Sequence, residues 1–155
     1  MVIEKIGIIG LGFMGRPIAE NLIRKGYMLT IFARIEQVKA EMKALGAKVV
    51  QSPKSLAEQT DIIFLVVTDS KAVRQLLFGP DGLVKGASAG MIIVDMTTSD
   101  PLSSRRLAKR LKKKRSNILM RPYPVAPYRQ GMPSFSSWSG GRKKSMKDVL
   151  RFSKP

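Results

Sequence analysis

Five apolar runs punctuate the first hundred residues: "KIGIIG" (5–10), "YMLTIFA" (27–33), "AKVV" (47–50), "DIIFLVV" (61–67) and "MIIVDM" (91–96). Short continuous apolar runs bounded by turn signals are the pattern of strands buried on both faces. The segments between and after them carry helical periodicity and predict helices over Met14–Lys25, Glu36–Leu45, Pro53–Gln59, Lys71–Leu77 and Pro101–Lys114. Pro80, Gly82 and Gly86 mark "FGPDGLVKGASAG" as a turn-rich connection. Strand and helix alternating this regularly predict a parallel sheet with right-handed crossovers and helices on both sides. The expected fold class is therefore α/β, a Rossmann-type doubly wound parallel sheet. No repeat of 20 to 50 residues is evident.

At 155 residues, 44% of them hydrophobic, the chain has material for one core, and a second full domain is not expected. Its first residues run straight into strand-like alternation without a cationic leader or a small-residue cleavage site, and no 18-residue apolar span follows. A cytoplasmic protein with no membrane partner is the expectation. There is no cysteine and no histidine, which removes thiolate chemistry, the usual general base and the commonest metal ligands.

The net charge of +17 is unevenly spread: residues 1–100 hold 12 Lys/Arg and 10 Asp/Glu, residues 101–155 hold 16 Lys/Arg and one acid, Asp148. Scattered proline and a serine run accompany the basic stretch, a composition that does not support a packed core. Expected boundaries are thus a folded domain over 1–115 and an irregular basic tail over 116–155.

Gly10, Gly12 and Gly15 form G-x-G-x-x-G directly after the first strand and at the opening of the first helix. In that context the first glycine permits the tight turn, the second lets backbone approach a pyrophosphate, and the third lets helix pack closely on strand. Pro17 is tolerated only in a first helical turn, so the helix must begin near Phe13 and Met14, with free N–H groups available to phosphate. Gly10, Leu11, Gly12, Phe13, Met14 and Gly15 are the candidate cofactor-binding residues.

These residues carry a resemblance. "IGIIGLGFMGRPIAENLIRKGY", "SPKSLAEQTDIIFLVVTDSKAVRQLLFGPDGLV" and "GMIIVDMTTSDP" resemble the cofactor-binding half of the β-hydroxyacid dehydrogenases, which include 3-hydroxyisobutyrate dehydrogenase, tartronate semialdehyde reductase and glyoxylate/succinic semialdehyde reductases. The likeness covers about two thirds of the chain, Ile6 to roughly Lys114. The 6-phosphogluconate dehydrogenases share the fold but open the helix differently. The resemblance implies hydride transfer between a nicotinamide dinucleotide and a small 3-hydroxyacid or semialdehyde. It places Val67 and Thr68 on the nicotinamide side, Thr98 against the cofactor and Thr97 as a substrate-side hydroxyl. Thr68 or Asp69 also suits the cap of the following helix, and Asp100 before Pro101 suits a helix start.

An acid at the end of the second strand would accept hydrogen bonds from the adenosine ribose of NAD. Ala33 and Arg34 stand there instead, and arginine forks well around phosphate, so NADP(H) is favoured. Glu36 keeps NAD(H) as an alternative, although it also fits the acid of a first helical turn.

The likeness stops after Lys114. Family members continue into a strand ending D-A-P-V-S-G-G, which cradles the substrate carboxylate, and into a helical domain bearing the catalytic lysine. Here Ala126, Pro127 and Tyr128 replace the glycines, and no residue inherits the lysine's role, so no catalytic residue is assigned. A truncated or frame-interrupted domain, able to bind cofactor without turnover, is the expectation. Read from the third base of the Leu119 codon, permitted codons for Leu119–Ala126 spell D-A-P-V-S-G-G, and the same frame across Ser137–Gly141 spells L-V-G-G. One nucleotide lost within the codons of Lys112–Lys114 accounts for both. Codons unable to spell those segments would refute this, and if they can, the tail's basicity is an accident of translation.

The alternative reading is a nucleic-acid or acidic-partner module over residues 105–155, with "RRLAKRLKKKR" as a basic helix and Tyr123, Tyr128, Phe135 and Trp138 as a stacking surface. A basic helix face is more often simply solvated, and nucleic acid is not the expected partner. Family members bury their helical domain between subunits, which leaves homo-oligomerisation open.

Overall fold

The computed structural model describes residues 5–97, 101–113 and 119–122. Strands β1 (Lys5–Ile9), β2 (Met28–Phe32), β3 (Lys48–Val49), β4 (Ile62–Leu65) and β5 (Ile92–Asp95) are the five apolar runs of the sequence. Helices α1 (Gly15–Arg24), α2 (Glu36–Ala44), α3 (Pro53–Gln59), α4 (Ser70–Phe78) and α5 (Pro101–Lys113) fill the predicted intervals. A 3₁₀ turn, Leu83–Lys85, lies within the turn-rich connection.

A sixth strand, β6 (Leu119–Pro122), corrects the expectation of five. It pairs in parallel with β5, Ile92 opposite Leu119 and Asp95 opposite Pro122. The stretch expected to be irregular from residue 116 onward therefore contains a strand, which lies beyond the boundary expected at 115. Its apolar content is too short, and too closely flanked by cations and proline, to read as a buried run. At the end of the ladder it needs only one partner, and proline is tolerated there.

The order β3-β2-β1-β4-β5-β6, parallel throughout, reverses winding direction between β1 and β4. Alternation along each strand sends side chains to both faces. Ile6, Ile8, Ile31, Ile62, Phe64, Ile92 and Val94 pack with Ala19 and Leu22 of α1 and Met42 of α2. Ile9, Ile63, Leu65, Ile93 and Met120 pack with Leu56 of α3, Val73 and Leu77 of α4 and Leu107 and Leu111 of α5. Both faces of β4 are buried, which explains why "IIFL" shows no polar alternation.

Local chemistry sets the helix starts. Ser52 accepts the Ser55 N–H at 3.1 Å, with Pro53 as the first residue of α3. Asp69, rather than Thr68, caps α4 by accepting the Ala72 N–H at 2.8 Å. Pro101 opens α5, and Asp100 lies outside the described residues.

Candidate dinucleotide-binding site

In open parallel sheets, ligands bind at the carboxyl ends of the strands where the strand order reverses. That point lies here between the loops following β1 and β4. Hydrogen bonding joins the two strands to their very ends, the Val66 N–H donating to the Ile9 carbonyl at 2.8 Å. The loops then touch: a Cβ on Gly10 would stand 1.9 Å from the Val66 carbonyl oxygen, and Gly10 adopts φ +97°. No side chain fits there, and L residues rarely take that backbone conformation. A Cβ on Gly15 would lie 1.7 Å from the Gly10 carbonyl oxygen, so α1 begins pressed directly onto the turn.

Gly12 differs from both. Nothing within 4 Å would meet its Cβ, its backbone is not left-handed, and it is exposed. No contact within the described fold demands glycine at that position, whereas a ligand brought against the backbone there would. Around it, α1 starts after Met14 with no side-chain cap and no acid in its first turn. The first N–H groups of a helix have no intrahelical partner and carry the positive end of its dipole, which suits a diphosphate. Phe13, 96% exposed, and Met14, 55% exposed, present apolar surface beside those groups. Leu11 is half-buried.

Arg16, next in the helix, is directed elsewhere. Its Nε bonds Glu20 at 3.0 Å, and its Nη1 pairs with Glu41 of α2 at 2.6 Å. Hydrogen bonding to Glu20, then to Glu41, raises the guanidinium above its ordinary pKa. The Glu41 pair ties α1 to α2, so Arg16 contributes to helix packing instead of to the phosphate cradle.

At the end of β2, Ala33 is half-buried and Arg34 is exposed, without an ion pair among the described residues. Glu36 opens α2, and its carboxylate accepts from Lys39 Nζ at 2.5 Å. No side chain caps that helix.

At the end of β4, Val67 is half-buried and Thr68 exposed. The Val67 N–H reaches the hydroxyl of buried Thr97 at 3.5 Å, which brings together two candidates thirty residues apart in sequence. Thr98 lies outside the described residues. Sequence reasoning missed Asp95, 2% exposed at the end of β5, whose Oδ1 accepts the Thr97 N–H at 3.0 Å. The available signal was a lone acid closing an otherwise apolar strand. It also missed Val66, whose backbone carbonyl forms the wall of the turn.

The basic face of α5 exposes Arg105, Arg106, Lys109 and Arg110. Arg110 lies with Cζ 4.4 Å from the centroid of the Phe78 ring, so this cation also packs α5 against α4. The aromatic candidates Tyr123, Tyr128, Phe135 and Trp138 lie outside the described residues. Among the described residues no helix is long and apolar enough to cross a membrane.

A doubly wound parallel sheet with a glycine turn at its switch point defines a dinucleotide-binding domain. Known proteins agree: residues 5–149 match the family described as the NAD binding domain of 6-phosphogluconate dehydrogenase. The chain belongs to that family, and its relatives mark it as the NAD(P)-binding domain of a 3-hydroxyisobutyrate dehydrogenase-like enzyme. It is 40% identical over 107 residues to 2-hydroxy-3-oxopropionate reductase of Escherichia coli, covering 69% of this chain and 36% of the relative. It is 37% identical over 108 residues to mitochondrial 3-hydroxyisobutyrate dehydrogenase of Rattus norvegicus, covering 70% of this chain and 32% of that protein. The crystal structure of a 3-hydroxyisobutyrate dehydrogenase from Salmonella typhimurium superimposes with a TM-score of 0.69 at 27% identity, over 76% of this chain and 40% of the other. The chain thus spans about a third of the length of the curated relatives it matches. The family match extends to residue 149, further than the resemblance read from the sequence, which ends near Lys114.

Proposed function

We propose that the chain holds NADP(H) in preference to NAD(H), and that the intact enzyme passes hydride between its nicotinamide and a small 3-hydroxyacid or semialdehyde. Gly12 is the observation that carries the dinucleotide reading: the residue is glycine although no neighbour within 4 Å requires it, at the mouth of an uncapped helix. Gly10 and Gly15 shape the turn, and backbone N–H groups from Leu11 to Gly15 take the diphosphate. Phe13 and Met14 cover it. Val67, Thr68 and Thr98 line the nicotinamide, and Thr97 offers its hydroxyl to the substrate. The bound nicotinamide supplies the hydride acceptor or donor, and these residues orient it.

Three features support the cofactor preference. Arg34 is an exposed guanidinium with no ion pair among the described residues. Glu36, the one acid close to it in sequence, is neutralised by Lys39. The N-terminus of α2 beside it has no side-chain cap, and such a terminus favours a phosphate over a neutral ribose hydroxyl.

Fluorescence titration with NADPH and NADH tests this. The wild-type chain should bind NADPH more tightly, and Arg34→Gln should weaken NADPH by about tenfold, the worth of one charge-assisted contact. NADH affinity should change by less than about twofold, since a cofactor without the 2′-phosphate gives Arg34 little to bind. Equal losses for both cofactors, or tighter NADH binding by the wild type, would remove Arg34 from the role.

A further inference from the structure

We propose that Asp95 is a positioning residue for the nicotinamide end of the site, acting through Thr97; the proposal rests on the dinucleotide reading above. Asp95 is the last residue of β5, opposite Leu65 of β4 on one side and Pro122 of β6 on the other. That places a carboxylate, 2% exposed, at the carboxyl edge of the sheet where ligands are bound. Burying a carboxylate is costly unless its oxygens accept hydrogen bonds, so one retained in an apolar strand calls for an account of what it holds.

It holds the turn after β5. Its Oδ1 accepts the N–H of Thr97 two residues on, at 3.0 Å, which folds the chain back in an Asx turn. Backbone pairing between β4 and β5 ends where the Met96 N–H donates to the Leu65 carbonyl at 2.8 Å. Beyond that point the described residues of the two segments are joined by a long bond, 3.5 Å, from the Val67 N–H to the Thr97 hydroxyl. Asp95 fixes where the Thr97 backbone stands, and thereby whether its hydroxyl reaches Val67. Without the carboxylate the two strand ends lose their bracket, and the surface beneath the nicotinamide is no longer fixed.

The Asp95 carboxylate oxygen accepts the Thr97 N–H and so pins the turn. Asparagine retains one acceptor and should preserve most of the effect. Alanine retains none.

The test compares two ligands: ADP-ribose, which lacks the nicotinamide ring, and whichever of NADPH and NADH binds the wild type more tightly. Asp95→Ala should weaken the reduced dinucleotide by about five- to tenfold, the worth of one ordinary intramolecular hydrogen bond. Its ADP-ribose affinity should stay within about twofold, and the emission gain of the bound nicotinamide should fall. Asp95→Asn should recover dinucleotide affinity to within about threefold of wild type. Parallel weakening of both ligands would show a merely structural role and overturn the proposal, as would unchanged dinucleotide binding by Asp95→Ala. Should Asp95→Ala fail to fold, Asp95→Asn and Thr97→Val carry the comparison. Thr97→Val must then weaken the dinucleotide while sparing ADP-ribose, and Asp95→Asn must not weaken both. Failure of the wild type to bind either ligand would instead remove the dinucleotide reading, and this proposal with it.

Discussion

Gly12→Val is expected to weaken dinucleotide binding by at least about a hundredfold, or 2.8 kcal/mol, while leaving the chain as stable as the wild type. The two halves of that expectation come from one observation. A Cβ at residue 12 meets nothing within 4 Å, and the backbone there is not left-handed, so folding imposes no penalty on a side chain. Stability should stay within about 0.5 kcal/mol, as for other exposed substitutions free of strain. The branched side chain would, however, occupy the approach to the first N–H groups of α1. A diphosphate kept an ångström or two from those donors loses its hydrogen bonds and the benefit of the helix dipole. Thermal unfolding and a cofactor titration on the same preparation check both halves. Retained affinity would show that Gly12 faces no ligand.

Gly10→Ala should have the opposite profile. Its methyl group would overlap the Val66 carbonyl oxygen at 1.9 Å, and alanine disfavours φ +97°. Backbone lies on both sides of the clash, so relief means separating the ends of β1 and β4 at the centre of the sheet. A loss of about 3–5 kcal/mol is expected, a large part of the stability of a domain this size. Urea unfolding should show a much lower midpoint, and any binding defect should follow from the unfolded fraction. A midpoint unchanged from wild type would mean that the turn is not packed as described.

Where an element's own residues determined its state, the sequence was enough. β1 to β5 each lie in a predominantly apolar run, and three helices start at a residue with a reason to be there: Pro17 in the first turn of α1, Ser52 and Pro53 at the start of α3 and Asp69 before α4. The glycine turn was legible because Gly10 and Gly15 answer to steric demands and Gly12 answers to none. Features set by a distant neighbour were not legible. β6 has a weak pattern because an edge strand borrows its order from β5. Asp95 takes its meaning from Thr97 and, through it, from Val67 on another strand. The fate of Arg16 depended on Glu41, twenty-five residues away, which no local pattern announces.

The central expectation is that the backbone following β1 holds the dinucleotide's diphosphate. Nitrogen-15 amide spectra of the chain titrated with NADPH examine that contact directly. The largest shifts should fall on residues 11–16, with a second group at Val67 and Thr97 across the switch point. Shifts confined to other parts of the fold, with residues 11–16 unmoved at saturating cofactor, would contradict it.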